Sequence, residues 1–412
     1  MNKSPRLVAL ETLYSIFYDG SYSNIALDKA LSDIKENKAF ISALVYGVTE
    51  RKITLDYFID KYAQGRIKPK VRVVLWLGAY QLLFMDKVPS SASINESVKL
   101  VKEIKQDYYS KLVNAVLHKI DNDRQIPDDL SVKYSVPENL INMWKKQYGE
   151  DVLNEFLPCI NDKPPLFAIP NKKFVNSDEL LYELECDGIL GEAYDEFVLI
   201  ENANDLTDSK AFKNGLFYIE DLSSFNCANA LDALGDDLVL DMCSAPGGKA
   251  FTISQSMNNS GKIYCYDLHE HRLNLIKNGA KRLSIDNIYT DVNDATVYNE
   301  NIPKADKILC DVPCSGFGII RRKPEIRYKD LDSVKDLPQI QYKILETSSR
   351  YLKDGGRIIY STCTLNKKEN ENVVNKFLKD HSGYKLLKEK TVFPSTVGGD
   401  GFYYAIMVKN EN

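Results

Sequence analysis

Two cysteines stand where covalent chemistry could be done. Cys314 lies in Lys307-Ile-Leu-Cys-Asp311-Val-Pro313-Cys314-Ser-Gly-Phe-Gly318, and Cys363 in Arg357-Ile-Ile-Tyr-Ser-Thr362-Cys363-Thr-Leu. Each follows an apolar, β-prone run and sits where that run stops. Strand ends of this kind line the ligand crevice of an open α/β sheet. Two thiols facing one crevice suggest a reaction in which one attacks and the other assists.

A second constellation precedes them. Asp241-Met-Cys243-Ser244-Ala245-Pro246-Gly247-Gly248-Lys249 follows a short buried strand and opens a helix. Consecutive glycines let backbone approach a ligand, and a helix N-terminus offers free N–H groups. Asp267 ends the next strand, where an acid can accept hydrogen bonds from both ribose hydroxyls. Asp294 and Asp311 follow the next two strands. The loop is neither G-x-G-x-x-G nor a Walker loop, so nucleotide phosphate is not its obvious ligand. A nucleoside carrying a carboxylate, such as S-adenosylmethionine, suits it better.

The elements that must position these residues fall into three regions. Residues 1–125 read as all-helical, with apolar stripes at helical spacing (Leu7, Leu10, Tyr14, Phe17; Ile25, Leu27, Leu31, Ile34) and a nearly all-apolar stretch over 71–85. The serines after Pro89 are expected to cap the helix that follows. Residues 126–225 read as a polar linker and a small α+β module. From 226 to 412, strand and helix alternate, which means βαβ units and a mainly parallel sheet.

The totals bound the class. A chain of 412 residues exceeds one ordinary core. No window approaches a membrane helix, and the N-terminus does not read as a signal peptide. The 8 cysteines include no C-x-x-C pair, so reduced thiols in a cytoplasmic monomer are expected. Cys310 with Cys314 and His269 with His271 are close in sequence, but their strand context argues against a metal. Net charge is −5, distributed as +5 over 1–125, −15 over 126–240 and +5 over 241–412. Cys159, Cys186, Cys227, Cys265 and Cys310 read as structural.

The runs Cys243–Lys249, Asp311-Val-Pro-Cys314-Ser-Gly and Ser361-Thr-Cys363-Thr resemble the signature motifs of RNA cytosine-C5 methyltransferases. Trp76-Leu-Gly-Ala-Tyr-Gln-Leu-Leu83, Pro89, Glu96-Ser-Val and Lys111-Leu-Val-Asn-Ala-Val-Leu117 resemble the NusB-like domain at the front of the ribosomal-RNA small-subunit methyltransferase B family. Gly398-Gly-Asp-Gly-Phe402 fits it too. The resemblance implies an α/β fold: a Rossmann-like S-adenosylmethionine-dependent methyltransferase domain preceded by an all-helical NusB-like domain and a small α+β module. It implies that Cys243, Ser244, Ala245, Pro246, Gly247, Gly248, Lys249, Asp267, Asp294 and Asp311 hold S-adenosylmethionine, and that the substrate is small-subunit ribosomal RNA. The same chemistry on tRNA, or a NusB-like RNA-binding factor with a dead catalytic domain, are the alternatives.

Carbon 5 of cytosine is a poor nucleophile. A thiolate adding to carbon 6 makes carbon 5 enamine-like, and the adduct must later lose the C5 proton and the sulfur. Lys249 is a local cation that would favour thiolate, and Asp311 is placed to hold the base edge. Spacing does not decide which thiol attacks. By resemblance to the RNA enzymes, Cys363 attacks and Cys314 aids release; by resemblance to DNA enzymes, the Pro-Cys cysteine would attack. Arg321, Arg322, Lys323 and Arg327 are candidate phosphate contacts, with Tyr328 to stack on a base. Arg51, Lys52, Arg66, Lys68, Lys70 and Arg72 form a second basic candidate.

Overall fold

The computed structural model describes residues 3–32, 34–202, 206–395 and 398–411; Met1 and Asn2, at the head of the N-terminal stretch read above, lie outside them. The chain divides into two units. One is Met1–Asn161 with Ile320–Lys329, the other Asp162–Ile319 with Asp330–Asn412.

The first unit is helical. Ser4 caps Pro5–Tyr18 by accepting from the Leu7 N–H, with proline at the first helical position. The stripes at 40–48 and 55–62 belong to a single helix, Lys38–Tyr62. Pro69–Phe84 is the buried central helix, with Val74, Leu75, Trp76 and Ala79 at 1% exposure or less. The serines after Pro89 do not cap: Pro89 itself holds the N-cap position and Ser90 is already helical. The expected linker is partly ordered too, because Asp129 caps the short helix Leu130–Tyr134. Glu138–Tyr148 and Glu150–Phe156 also belong to this compact unit.

The second unit contains two sheets. The smaller is β1 (Leu166–Pro170), β2 (Gly191–Ala193), β3 (Val198–Ile200) and β4 (Phe217–Ile219), antiparallel in the order β2-β3-β1-β4. Its helix Ser177–Cys186 begins with a capping box between Asn176 and Glu179. One face of this sheet packs with its helix in a core of its own, through Ala168, Leu180, Leu184, Val198 and Phe217. Phe167, Ile169 and Tyr218 share one apolar core with Val239, Ile253, Ile263 and Leu273 of the larger sheet and its helices.

The larger sheet has seven strands: β5 (Leu238–Asp241), β6 (Lys262–Asp267), β7 (Ile288–Val292), β8 (Ala305–Asp311), β9 (Leu352–Thr362), β10 (Tyr384–Val392) and β11 (Phe402–Lys409), in the order β10-β11-β9-β8-β5-β6-β7. The run from β7 to β9 is parallel, and β11 and β10 close that side antiparallel. From β5 the chain steps outward to β6 and β7, then returns to β8 on the other flank of β5. That reversal opens a crevice at the carboxyl ends of β5 and β8. Register pairs Asp241 with Leu309 and Asp311 with Ser361, so the glycine loop and both cysteine motifs leave the sheet at one edge.

Candidate active site

The glycine loop is shaped from below as well as above. Gly247 sits at φ +109° and caps the helix Gly248–Ser256. A Cβ at Gly247 would lie 2.9 Å from the Phe251 ring, and one at Gly248 would lie 3.1 Å from the Glu220 carboxylate. Only glycine satisfies both the left-handed backbone and this packing at position 247.

Several buried polar atoms at this edge have no partner within the protein: both carboxylate oxygens of Asp241, the Ser244 hydroxyl and the Asn293 amide nitrogen. Buried polar groups are ordinarily paired, so this set fits a polar ligand. Burial, helped by the nearby Asp311 charge, pushes the Asp241 carboxyl up to about 7. Asp267 is 3% exposed, and its carboxylate accepts from the His269 N–H at 3.0 Å and pairs with Arg272 at 3.0 Å. Arg272 also donates to the Ala245 carbonyl at 2.8 Å, tying the glycine loop to the acid. Asp294 accepts from the hydroxyl (2.6 Å) and the N–H (2.9 Å) of Thr296, which holds its carboxyl below the usual range.

Asp311 and Lys249 form the centre. Lys249 Nζ lies 2.8 Å from Asp311 Oδ2 and 3.0 Å from the Ser224 hydroxyl, and the Ser361 hydroxyl donates to Asp311 Oδ1 at 2.9 Å. Burial alone would push the Lys249 ammonium down; Asp311, then Glu220, outweigh it and raise the group. The Lys249 charge is paired with Asp311 at 2.8 Å.

The Cys314 and Cys363 sulfurs are 3.3 Å apart and both side chains are half-buried. The hydrogen bond with Cys363, reinforced by burial, pushes the Cys314 thiol well up. By contrast Cys227, Cys265 and Cys310 are fully buried and burial raises each thiol, as suits packing residues. Cys186 is exposed rather than packed.

The RNA-contact candidates divide. Arg327 is 1% exposed, and its guanidinium donates to the carbonyls of Glu50 (2.9 Å) and Ser135 (3.1 Å) and to Asn161 Oδ1 (2.9 Å). It closes the helical unit and does not face solvent, which corrects its assignment to phosphate. Arg321 is likewise buried, while Arg322 and Lys323 are half-buried. Tyr328 packs edge-on to Phe17 and donates to the Thr49 carbonyl, so its ring is not free for a base. In the second basic group, Arg72 pairs with Asp56 and Asp60, and Lys52 with Asp56, leaving Arg66, Lys68 and Lys70 as its exposed members. Among the described residues no group of three or more His, Cys, Asp or Glu could hold a metal, and no helix is long and apolar enough to cross a membrane.

Sequence reading missed the floor of the site. A cavity of about 380 Å³ joins Asp241, Ser244, Lys249 and Asp311 to Glu220, Asp221 and Ser224. Burial pushes Glu220 up to about 7. Asp221 accepts from the Asp400 N–H at 2.9 Å, and a Cβ at Gly399 would collide with Ser223, which explains the glycine at position 399. Two acids directly after the apolar strand β4 were the available signal.

Fold and site together define a Rossmann-like methyltransferase with a helical front unit. The family model for 16S rRNA methyltransferase RsmB/F matches residues 228–408, and that for the NusB family matches 3–122. The probable ribosomal RNA small subunit methyltransferase B of Bacillus subtilis (strain 168) is 33% identical over 98% of this chain and 99% of that protein. Its counterpart in Synechocystis sp. is 30% identical over 93% and 90%. The solved structure of PH0851 superposes with a TM-score of 0.82 at 27% identity, covering 99% of this chain and 100% of that one. A methyltransferase homolog protein from Pyrococcus horikoshii gives 0.58 at 26% identity, over 68% of this chain and 98% of that one. The chain belongs to the 16S rRNA methyltransferase RsmB/F family.

Proposed function

We propose that this protein methylates carbon 5 of a cytosine in small-subunit ribosomal RNA through a covalent bond between Cys363 and carbon 6. The observation that carries the reading is the cysteine pair, 3.3 Å apart at the sheet edge that also presents Lys249 and Asp311. S-adenosylmethionine would supply the methyl group. The loop 243–249, Asp267, Asp294 and Asp311 are the residues to hold it, and the unpartnered atoms of Asp241, Ser244 and Asn293 fit such a polar ligand.

The roles are assigned by resemblance and by the geometry of the pair. By resemblance to the RNA enzymes, Cys363 is the thiol to add to carbon 6 as thiolate, and Cys314, its sulfur 3.3 Å away, is the one to aid release. Asp311, held by Lys249 and Ser361, is oriented to meet the base edge while charge builds on the ring. After methyl transfer a base takes the C5 proton, the C6–sulfur bond breaks and Cys363 departs as thiolate; the Cys314 sulfur, as thiolate at that stage and 3.3 Å from Cys363, is the group to take that proton and so aid release. The target cytosine must leave its stack to enter the crevice. Intact Lys249, Asp311, Cys314 and Cys363 argue against a dead catalytic domain. Bisulfite sequencing of ribosomal RNA from cells with and without the gene tests the reading. Loss of one protected cytosine in small-subunit RNA is expected; loss confined to tRNA would overturn it.

A further inference from the structure

Behind the two thiols lies a buried polar cluster that no step above uses. Glu369 is fully buried. Its Oε2 accepts from the Ser315 N–H at 2.9 Å and the Gln341 amide at 3.0 Å. Its Oε1 accepts from the Ser315 hydroxyl at 2.6 Å and the Asn366 amide at 2.9 Å. Gln341 also donates to the Pro313 carbonyl at 2.9 Å, so the residues on both sides of Cys314 are held. The next residue, Asn370, does the same for Cys363. Its Oδ1 accepts from the Thr362 hydroxyl at 2.6 Å and its amide donates to the Thr364 carbonyl at 2.9 Å.

We propose that Glu369 is a positioning residue that, through the adjoining Asn370, holds the Cys314 and Cys363 loops with their thiols in contact. The proposal rests on the cysteine roles given above. One rigid peptide unit links the two arms, so a shift of either loop strains the other. A buried carboxylate that accepts on both oxygens suits this task, because every partner is a donor. An amide in its place does not, since either flip sets the NH₂ against two donors.

The test is Glu369→Gln, read first without RNA. In the wild type, hydrogen peroxide should close a Cys314–Cys363 disulfide: two thiols lose two protons and two electrons, and peroxide takes them up to become two waters. In the variant, closure should slow by about tenfold or more, and kcat for RNA methylation should fall by up to roughly 10²-fold with cofactor affinity unchanged, as expected for reacting groups displaced by about 1 Å. An unchanged closure rate in a variant with a cooperative melt overturns the proposal, and so does slowed closure with unchanged kcat. If Glu369→Gln does not fold, Gln341→Ala, which leaves the other donors to Glu369 in place, carries the same measurement. Slowed closure in a protein whose wild type methylates no cytosine would sink the proposed function while leaving the clamp standing.

Discussion

Lys249 Nζ and Asp311 Oδ2 lie 2.8 Å apart, with side-chain exposures of 12% and 28%. Each charge is half of the other's solvation. Removing one partner of such a pair strands the other. In a double-mutant cycle of Lys249→Ala and Asp311→Ala, urea unfolding should give a coupling of about 1–3 kcal/mol. A cycle that sums to zero would mean the two groups are solvated separately.

The cysteines should be unequal. Cys314→Ala is expected to accumulate RNA–protein adduct that survives a denaturing gel, because attack persists while release is impaired. Cys363→Ala should give none. Adduct in the Cys363 variant alone would reverse the roles.

Asp267 is expected to serve the ribose, yet it is already tied to Arg272. Asp267→Ala should weaken S-adenosylmethionine binding by about 2 kcal/mol, roughly thirtyfold, for two lost hydrogen bonds. Titration calorimetry that returns the wild-type affinity would remove Asp267 from the site.

The carboxyls of Asp241 and Glu220, both raised to about 7 by burial, set a pH dependence. Between their ordinary values of about 4 and the raised ones, the folded protein keeps protons that the unfolded chain has lost. Stability from these groups is therefore full at low pH and is lost as pH rises through about 7. Asp241→Asn should flatten the fall in urea stability between about pH 4 and 7. An identical slope in the variant would show that Asp241 ionises at its ordinary value.

Arg327→Ala should destabilise the helical unit by about 2–4 kcal/mol, since it leaves buried carbonyls unmet. Lys323→Ala should change stability by no more than about 0.5 kcal/mol. Equal melting temperatures for the two variants would contradict the buried role of Arg327.

Much of the site was legible because strand, loop and chemistry coincide: Asp241, Asp267 and Asp311 each end an apolar run, and parallel register delivers them to one edge. What escaped the sequence depends on contacts between distant segments. Glu369 and Asn370 look like surface residues in Lys367-Lys-Glu-Asn-Glu371 and become buried only when the Cys314 loop arrives. β10 alternates weakly because it is an edge strand whose lysines, Lys385, Lys388 and Lys390, face solvent. Arg321–Arg327 read as a basic loop, since nothing local reveals that Glu50, Ser135 and Asn161 wait for a guanidinium.

That insertion has a consequence for how the chain is made. The helical unit ends at Asn161 but is completed only by Ile320–Lys329. A ribosome adding residues at about 5–20 per second reaches that plug roughly ten to thirty seconds after Asn161. Until then the nascent front unit carries an unfilled socket of carbonyls, so its last folding step waits for most of the second unit to be translated.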